Sequence, residues 1–384
     1  MNAMFLEDHI LHHITERAST DSAPYYLYDT GLIRDHCRAF RKIEYKEKEI
    51  HFATMANIHP EFLRIVREEG LGVFVNSLMH LEAVMEAGFG GEKIIFTSSG
   101  QSRENMLAAG QQGVQVNLDS PAQLELWNEL FPGVPVGIRC NIGDQIDVSV
   151  NHAGAFIGKN SRLGFTLEEI SHIDHRSGIK GLHLYAGTDI FDLDYLFSCY
   201  EALVEISRDF PAIEYLNFGG GFGVAENNEK QFDFETYGIR LTALMESVSD
   251  SKGRKVKLIL EPGRIIGGAA GYFICKVTDV KERENVRLVG VNASVAQFSR
   301  PLLYPEIARH PVYIIRNEQV LQDSELQMHT IFGCSTYSRD ILRSKIDLPA
   351  VQKGDMVVFG NAGSYCASSY CQFLGFPKPE EVFL

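Results

Sequence analysis

Short apolar segments alternate with amphipathic segments between residues 26 and 270, and this alternation constrains the fold more than any other feature. The apolar segments have the length and composition of buried strands. They are IHFATM (50–55), LGVFVNS (71–77), KIIFTSS (93–99), VQVNLDS (114–120), VPVGIRCN (134–141), GLHLYAG (181–187), IEYLNFGGG (213–221) and VKLILEPG (256–263). Eight strands that alternate with helices predict a parallel sheet covered by helices.

The segments between these strands show helical periodicity. In HPEFLRIVREEG (59–70), Phe62, Ile65 and Val66 recur on one helical face, and a glycine follows where a helix C-cap favours one. The length from residue 26 to 270 matches the roughly 250 residues typical of a (β/α)8 barrel. We therefore predict such a barrel over residues 26–270. A doubly wound open sheet is disfavoured because no G-x-G-x-x-G segment opens the first helix.

After residue 270 the pattern changes to short strands without long helices between them. These segments are YFICKVTDVKER, VRLVGVNAS, PVYIIRNE, LQMHTIFG and DMVVFGNAG. They predict a C-terminal antiparallel β domain, either a sandwich or a barrel, over residues 271–384. Residues 1–25 are assigned to the same domain, because YYLYD (25–29) is placed to supply it with a strand.

Charge and cysteine usage exclude several classes of partner. Acidic side chains outnumber basic ones by 50 to 36, a net charge of −14, so no cation excess is available to bind nucleic acid. No apolar run reaches the roughly 18 residues of a membrane span. No secretory signal precedes the first predicted strand, and the seven cysteines are scattered without a CxxC, so we expect a cytoplasmic protein without a metal site.

In a barrel, functional residues gather at the C-terminal ends of the strands. Gly219, Gly220 and Gly221 end one strand, where backbone N–H groups can face an anion or a tight turn can require positive φ. The segment EPGR (261–264) ends another, with Glu261, Gly263 and Arg264 suited to a ligand or to a helix start. Both interpretations remain open at each site.

A third strand ends in HLYAGT (183–188). Alternation along a strand places His183 and Tyr185 on one face, where they can serve chemistry or pack in the barrel interior. Thr188 follows in the same segment.

Six motifs in order resemble the fold-type III, pyridoxal-phosphate-dependent ornithine/diaminopimelate/arginine decarboxylase family. They are IHFATMAN (50–57), NFGGGFG (217–223), LEPGR (260–264), SRPLLY (299–304), GCSTYSRDIL (333–342) and NAGSY (361–365). GLHLYAGT and the closing FLGFPKPEEVFL resemble members of the butirosin decarboxylase type, which decarboxylate an amino acid carried on an acyl carrier protein. The resemblance implies an alanine-racemase-like barrel with a C-terminal β domain.

The resemblance also implies a role for each motif residue. Glu261 would pair with the protonated pyridine nitrogen, and Tyr185 would stack on the ring where most members have a histidine. Arg300 and Tyr304 would face the substrate carboxylate, and Asp340 would come from the partner subunit of a homodimer. The residues implied at the cofactor and its phosphate are Gly219, Gly220, Gly221, Gly263, Arg264, Thr188 and Tyr365.

Two positions depart from the family pattern. In the family, a lysine in a segment like YAVKAN forms the Schiff base with the cofactor, and Met55 stands at that position here. A thioether cannot form an imine. The family pattern G-x-x-C-x-x-x-D places Thr336 at the catalytic cysteine, with Cys334 two residues earlier and Asp340 retained. The loss of both groups favours natural divergence over an inactivating mutation.

We therefore predict a divergent decarboxylase homologue that acts on an amino acid, free or carrier-linked, in a natural-product or other small-molecule pathway. Pyridoxal phosphate would then bind without covalent attachment. Two alternatives remain open. The pocket has abandoned the cofactor and uses other acid and base groups, or the chain is an inactive paralogue with a binding or regulatory role. The candidate acid and base groups are His183, Tyr185, Cys334, Thr336 and Asp340.

Overall fold

The computed structural model describes residues 6–18, 23–143, 146, 156–225, 231–284, 286–305, 307–322 and 325–384. The chain divides into two compact units. One consists of the described residues of Arg34–Gly223 and Gln231–Ile265. The other consists of the described residues of Met1–Ile33, Val224–Lys230 and Ile266–Leu384.

The first unit contains a closed barrel of parallel strands, which confirms the predicted fold. Strand β1 (Tyr25–Tyr28) belongs to the other unit. The barrel strands are β2 (Lys48–Ala53), β3 (Gly72–Val75), β4 (Ile94–Thr97), β5 (Gln115–Leu118), β6 (Val136–Arg139), β7 (Ile179–His183), β8 (Tyr215–Asn217) and β9 (Lys257–Leu260). Each of the eight predicted apolar segments contributes to one of them, because strands buried on both faces are nearly continuous apolar runs.

Helices follow the barrel strands in most of the intervals. The helices of the described chain are α1 (Asp8–Ala18), α2 (Thr30–Ala39), α3 (Pro60–Glu68), α4 (Leu78–Glu86), α5 (Arg103–Gln111), α6 (Pro121–Leu130), α7 (Leu167–Ser171), α8 (Leu193–Ser207), α9 (Phe234–Lys252), α10 (Arg264–Gly267) and α11 (Arg300–Leu303). Ser77, Ser102 and Ser120 cap α4, α5 and α6 by accepting a hydrogen bond from a backbone N–H of the first turn. Gly70 and Gly88 end α3 and α4 with φ of +77° and +85°.

The barrel interior is filled by a side chain of β8. The Tyr215 side chain lies over Gly181 and Gly137, where an added Cβ would approach ring atom Cζ to 1.8 Å and the hydroxyl oxygen to 2.0 Å, respectively. The Tyr215 hydroxyl donates a 2.8 Å hydrogen bond to Oδ1 of Asn117. Because Tyr215 packs inside the barrel, a ligand fits beyond the strand ends, where the functional residues of such barrels lie.

The second unit contains a nine-stranded sheet, in the order β13-β12-β16-β10-β11-β14-β15, to which β1 adds by pairing with β10 and β17. Its remaining strands are β10 (Gly271–Arg283), β11 (Val286–Val291), β12 (Val312–Arg316), β13 (Gln319–Val320), β14 (Gln327–Phe332), β15 (Ile341–Leu348), β16 (Met356–Phe359) and β17 (Glu380–Phe383). The sheet is mainly antiparallel, as predicted, but β11 pairs with β14 and β1 with β17 in parallel. Long connections separate both pairs, so no hairpin dictates their direction.

The C-terminal ends of four barrel strands are tied together by backbone hydrogen bonds. Ala53 donates to the carbonyl of Pro262 at 3.0 Å, Leu184 to that of Asn217 at 2.8 Å, and Phe218 to that of Ile259 at 3.0 Å. The residues that follow β2, β7, β8 and β9 therefore share one end of the barrel. No helix among the described residues has both the length and the apolar character that crossing a membrane requires.

Candidate active site

Three buried polar side chains meet at this end of the barrel. Asn217, the last residue of β8, donates from Nδ2 to Oε1 of Glu261 at 2.6 Å. His183, the last residue of β7, has Nε2 3.3 Å from Oε2 of the same carboxylate. Asn217, His183 and Glu261 are 0%, 2% and 5% exposed. Consecutive parallel strands bring them together, since β7 pairs with β8 and β8 with β9.

Glu261 is held in its ionised form by these neighbours. Burial on its own raises the pKa of a carboxyl group, but the charge of His183 and the hydrogen bond from Asn217 outweigh it. The pKa of Glu261 consequently lies below its ordinary value. The site therefore presents a buried negative charge that can accept a proton or a hydrogen bond from a ligand.

His183 has unused hydrogen-bonding capacity. Despite its burial, neither ring nitrogen makes a hydrogen bond of acceptable geometry with a residue that the structure describes. Its 3.3 Å contact with Glu261 is thus an electrostatic one. Buried polar atoms without a hydrogen-bond partner are rare in folded proteins, so this imidazole indicates a place for a ligand or a water molecule.

The three glycines after β8 are required by the packing of neighbouring strand ends. A Cβ on Gly219, Gly220 or Gly221 would lie 2.3 Å from a backbone oxygen, of Leu184, Glu261 and Gly187 respectively. Gly219 and Gly221 also have φ of +65° and +95°. This gives the triplet a structural reason that does not depend on a ligand.

The same glycines also retain unused donors. The backbone N–H groups of Gly220 and Gly221 donate to no acceptor within the described chain. Successive free N–H groups at such a turn are able to bind an anion. Both of the interpretations left open by the sequence are therefore compatible with the geometry.

Arg264 is paired inside the barrel unit. Its guanidinium lies at the start of α10, is 7% exposed, and donates from Nη1 to Oδ1 of Asp189. Asp189 adopts φ of +53°, which is uncommon for a residue with a side chain. Gly263 precedes the arginine in the turn after β9. Arg264, the predicted phosphate-binding cation, therefore already forms an ion pair with a carboxylate.

Tyr185 lies beyond the end of its strand. β7 ends at His183, so the alternation used to place both side chains on one face does not extend to Tyr185. The Tyr185 hydroxyl lies 2.9 Å from Oγ1 of Thr188, and its ring contacts that of Phe156 edge-on with centroids 4.9 Å apart. Tyr185 and Thr188 thus form one hydrogen-bonded pair within the loop.

Met55 follows β2 at the same end of the barrel. The hydrogen bond from Ala53 to Pro262 places this segment beside the residue that follows Glu261. The Met55 sulfur lies 3.9 Å from Oγ1 of Thr54, which is itself 2.8 Å from Nδ1 of His80. Burial lowers the pKa of His80, which favours its neutral form. A thioether with a hydroxyl–imidazole pair therefore stands where the family resemblance implies an amine.

Arg139 is a further charged residue at this end of the barrel, and none of the six motifs contains it. It ends β6, and its Nη1 lies 3.6 Å from Oδ1 of Asp119, which follows β5. Burial lowers the pKa of Arg139, an effect that the charges of Asp119 and Glu261 oppose. Its sequence signal is a charged residue at the end of the predicted strand VPVGIRCN, where functional residues of a barrel gather.

The predicted residues of the second unit are placed by its loops and sheet. Asp340 is 2% exposed and accepts from the backbone N–H groups of Val295 (2.7 Å) and Ser335 (3.0 Å) and from the hydroxyls of Ser294 and Ser335. Each carboxylate oxygen thus has two donors. Cys334 and Thr336 are exposed, and partial burial with the charge of Asp340 raises the pKa of the Cys334 thiol.

Arg300, Tyr304 and Tyr365 differ in exposure. Arg300 is 3% exposed, with Nη1 3.5 Å from Nε2 of His310. Tyr304 is 49% exposed. Tyr365 has φ of +57°, and its carbonyl accepts a 2.9 Å hydrogen bond from Ser369.

The fold is shared with solved decarboxylase structures. A crystal structure of diaminopimelate decarboxylase superposes with a TM-score of 0.88 at 24% identity, and covers 98% of this chain and 92% of its own. The Helicobacter pylori diaminopimelate decarboxylase complexed with L-lysine gives a TM-score of 0.83 at 23% identity, with 97% and 94% covered. The barrel and the separate sheet thus match the alanine-racemase-like decarboxylase fold.

Curated relatives span nearly the whole chain. The diaminopimelate decarboxylase of Methanothermobacter thermautotrophicus is 27% identical over 386 residues, which cover 96% of this chain and 88% of that protein. The L-glutamyl-(BtrI acyl-carrier protein) decarboxylase of Niallia circulans is 26% identical over 387 residues, with 96% and 90% covered. Residues 30–268 match the family model described as pyridoxal-dependent decarboxylase, pyridoxal binding domain. The chain therefore belongs to the pyridoxal-dependent decarboxylase family.

Proposed function

We propose that this protein binds pyridoxal phosphate without a covalent link and acts on an amino acid, free or attached to a carrier protein. The observation that carries the proposal is the buried, ionised Glu261 between Asn217 and His183. A carboxylate in this state can keep the ring nitrogen of the cofactor protonated. The names of the curated relatives, diaminopimelate decarboxylase and acyl-carrier-protein glutamyl decarboxylase, support the substrate class.

The residues at the barrel end fit pyridoxal phosphate as a noncovalent ligand. Glu261 supplies an acceptor for the ring nitrogen, and the unused N–H groups of Gly220 and Gly221 supply donors for an anion. His183 adds a buried imidazole with hydrogen bonds still to make. Met55 supplies no amine, so nothing at that position can hold the aldehyde covalently.

Residues of the chain keep the cofactor protonated, position it and limit proton transfer. Pyridoxal phosphate, when bound, supplies an electron sink for loss of a carboxyl group from an amino acid. Glu261 holds the proton on the ring nitrogen, and the packed barrel beneath keeps the ligand at the strand ends. Met55 neither gives nor takes a proton, so the proton transfers that a lysine would serve fall to another group. Turnover is consequently slower than in a lysine-containing relative.

Binding of the cofactor is tested by calorimetric titration of the dialysed protein with pyridoxal phosphate. We expect saturable binding that borohydride does not make covalent, and binding at least tenfold weaker in Glu261→Gln. The matched control is Glu205→Gln, an exposed carboxylate on α8 that pairs with Arg208 at the end of the same helix. Absence of binding to the parent protein contradicts the proposal.

Substrate choice is tested by carbon dioxide release from diaminopimelate and from a glutamyl thioester of an acyl carrier protein. We expect one of the two to be turned over, and the turnover to be lost in Glu261→Gln. Cofactor binding without release from either substrate would contradict the proposed substrate class while leaving the cofactor proposal intact.

One observation favours a second candidate function, an enzyme that has abandoned the cofactor. Asp189 already forms an ion pair with Arg264, the cation that the resemblance places at the phosphate. In that case His183 and Tyr185 are the acid and base candidates of the barrel unit. Failure of the titration, together with turnover of a substrate lost in His183→Gln, would support it.

We also propose a homodimer, as the family resemblance implies. Sedimentation velocity of the purified protein tests this, and a monomer across the micromolar range would contradict it.

A further inference from the structure

Arg264 and Asp189 form an ion pair at the end of the barrel where an anionic ligand is expected. The guanidinium is 7% exposed, and the Asp189 side chain is 25% exposed. The two residues are 75 positions apart in the chain, so the contact arises from the fold. A partly buried ion pair of this kind lowers the positive charge that Arg264 offers to an entering ligand.

The backbone around Asp189 is fixed by the glycine loop. Ile190 donates to the carbonyl of Gly221 at 2.8 Å, and Gly223 donates to the carbonyl of Ile190 at 2.9 Å. On the other side, the hydrogen bond between Tyr185 and Thr188 closes the loop that precedes Asp189. These contacts maintain the positive φ of Asp189 against its intrinsic cost. The carboxylate is therefore held in place beside the loop.

The pair changes which anions the loop can accept. The unused N–H groups of Gly220 and Gly221 favour an anion, and Arg264 alone would balance part of a phosphate's charge. A phosphate monoester carries about −1.5 to −2 charges at neutral pH. With Asp189 paired to Arg264, this guanidinium is shared between the carboxylate and a bound phosphate, and the two like charges repel each other.

We propose that Asp189 is a specificity-determining residue that weakens the binding of dianionic phosphates at Arg264. The inference rests on the proposed function, because it concerns the same pocket. Within that function, Asp189 lowers the contribution of the phosphate group to cofactor binding, while the contribution of the ring, which pyridoxal shares, is unchanged. Asp189 acts by reducing the positive charge with which Arg264 attracts a phosphate.

The test compares pyridoxal phosphate with pyridoxal, which lacks the phosphate, by calorimetric titration of the full chain. Asp189→Asn should bind pyridoxal phosphate about tenfold or more tightly than the parent, with pyridoxal affinity changed less than twofold. The matched control is Asp194→Asn. Asp194 lies five residues further on, pairs with Arg240 and has an 89% exposed side chain, so neither ligand should respond.

Inorganic phosphate supplies a readout that does not depend on the cofactor. Thermal unfolding in millimolar phosphate should show a larger phosphate-dependent rise in Tm for Asp189→Asn than for the parent, and none for Asp189→Asn combined with Arg264→Gln. If pyridoxal phosphate binds no variant but this rise is seen, the proposed function fails and the role of Asp189 stands. If Asp189→Asn binds pyridoxal phosphate and inorganic phosphate no more tightly than the parent does, the inference is overturned. If the asparagine variant does not fold, Asp189→Ser is used in its place.

Discussion

His183 Nε2 and Glu261 Oε2 lie 3.3 Å apart, although His183 ends β7, Glu261 follows β9, and the two residues are 78 positions apart in the chain. Both are almost completely buried. Removing one partner of such a pair leaves an uncompensated charge in a medium of low polarity. The pair is consequently a sensitive point both for stability and for whatever binds at the barrel end.

The stability of the protein should depend on pH through Glu261. Its pKa is lowered in the folded chain, so the folded state binds its proton less readily than the unfolded state, where the pKa is about 4.3. The stabilisation by the carboxylate is therefore complete above that value and is lost as pH falls through the lower, folded-state pKa. Urea unfolding of the parent and Glu261→Gln should show a free-energy difference that shifts against the parent below about pH 4. A difference that is independent of pH would contradict this assignment.

Met55→Lys should restore a covalent attachment. Its segment lies beside Pro262 at the barrel end, so an amine there reaches the same space as Glu261. After incubation with pyridoxal phosphate and borohydride, mass spectrometry of a digest should find the label on residue 55. Met55→Leu, which keeps the apolar volume, serves as the control and should carry no label there. A label distributed over surface lysines alone would show that residue 55 does not face the ligand.

Asp340→Asn should destabilise the second unit. The carboxylate accepts four hydrogen bonds from the 294–295 and 335 segments, and an amide nitrogen cannot accept those on its side. We expect the free energy of unfolding to fall by about 2–3 kcal/mol. Asp347→Asn, on an exposed position of β15, is the control and should change it by less than about 0.5 kcal/mol. Loss of activity at unchanged stability would instead assign Asp340 a direct catalytic role.

Tyr185→Phe and Thr188→Val should each remove the same hydrogen bond. The phenylalanine keeps the ring contact with Phe156, so the loss should be about 1 kcal/mol in unfolding free energy. Because the two side chains share one interaction, the double variant should lose less than the sum of the single ones. Strict additivity in this double-mutant cycle would show that the hydroxyls do not interact in solution.

The barrel could be predicted because its strands are short, apolar and regularly spaced. Strand β15 could not, since ILRSKIDL exposes several of its polar side chains and lacks an apolar run. The short β17, EEVF, carries no strand signal for the same reason. The parallel pairing of β11 with β14 depends on a long connection, whose path no local pattern determines.

The site could be predicted only as far as local motifs reach. Glu261 and the glycines lie in recognisable segments, but the partner of Arg264 is Asp189, which the sequence separates from it by 75 positions. Arg139 carried a usable signal as a charged residue at a strand end, whereas the engagement of Asp340 by two separate loops carried none. Contacts between distant segments follow from strand order in the barrel and from the paths of the loops.

The three glycines after β8 indicate the ancestry of the chain but not its present activity. Each of its members lies so close to a backbone oxygen of another strand end that any side chain would force the barrel open. A descendant that no longer bound phosphate would still need all three glycines in order to fold. The motif that most readily reveals kinship in this chain is thus the one least able to report on present activity. Evidence of a current reaction has to be sought in side chains with chemistry of their own, such as Met55, Asp189 and Glu261.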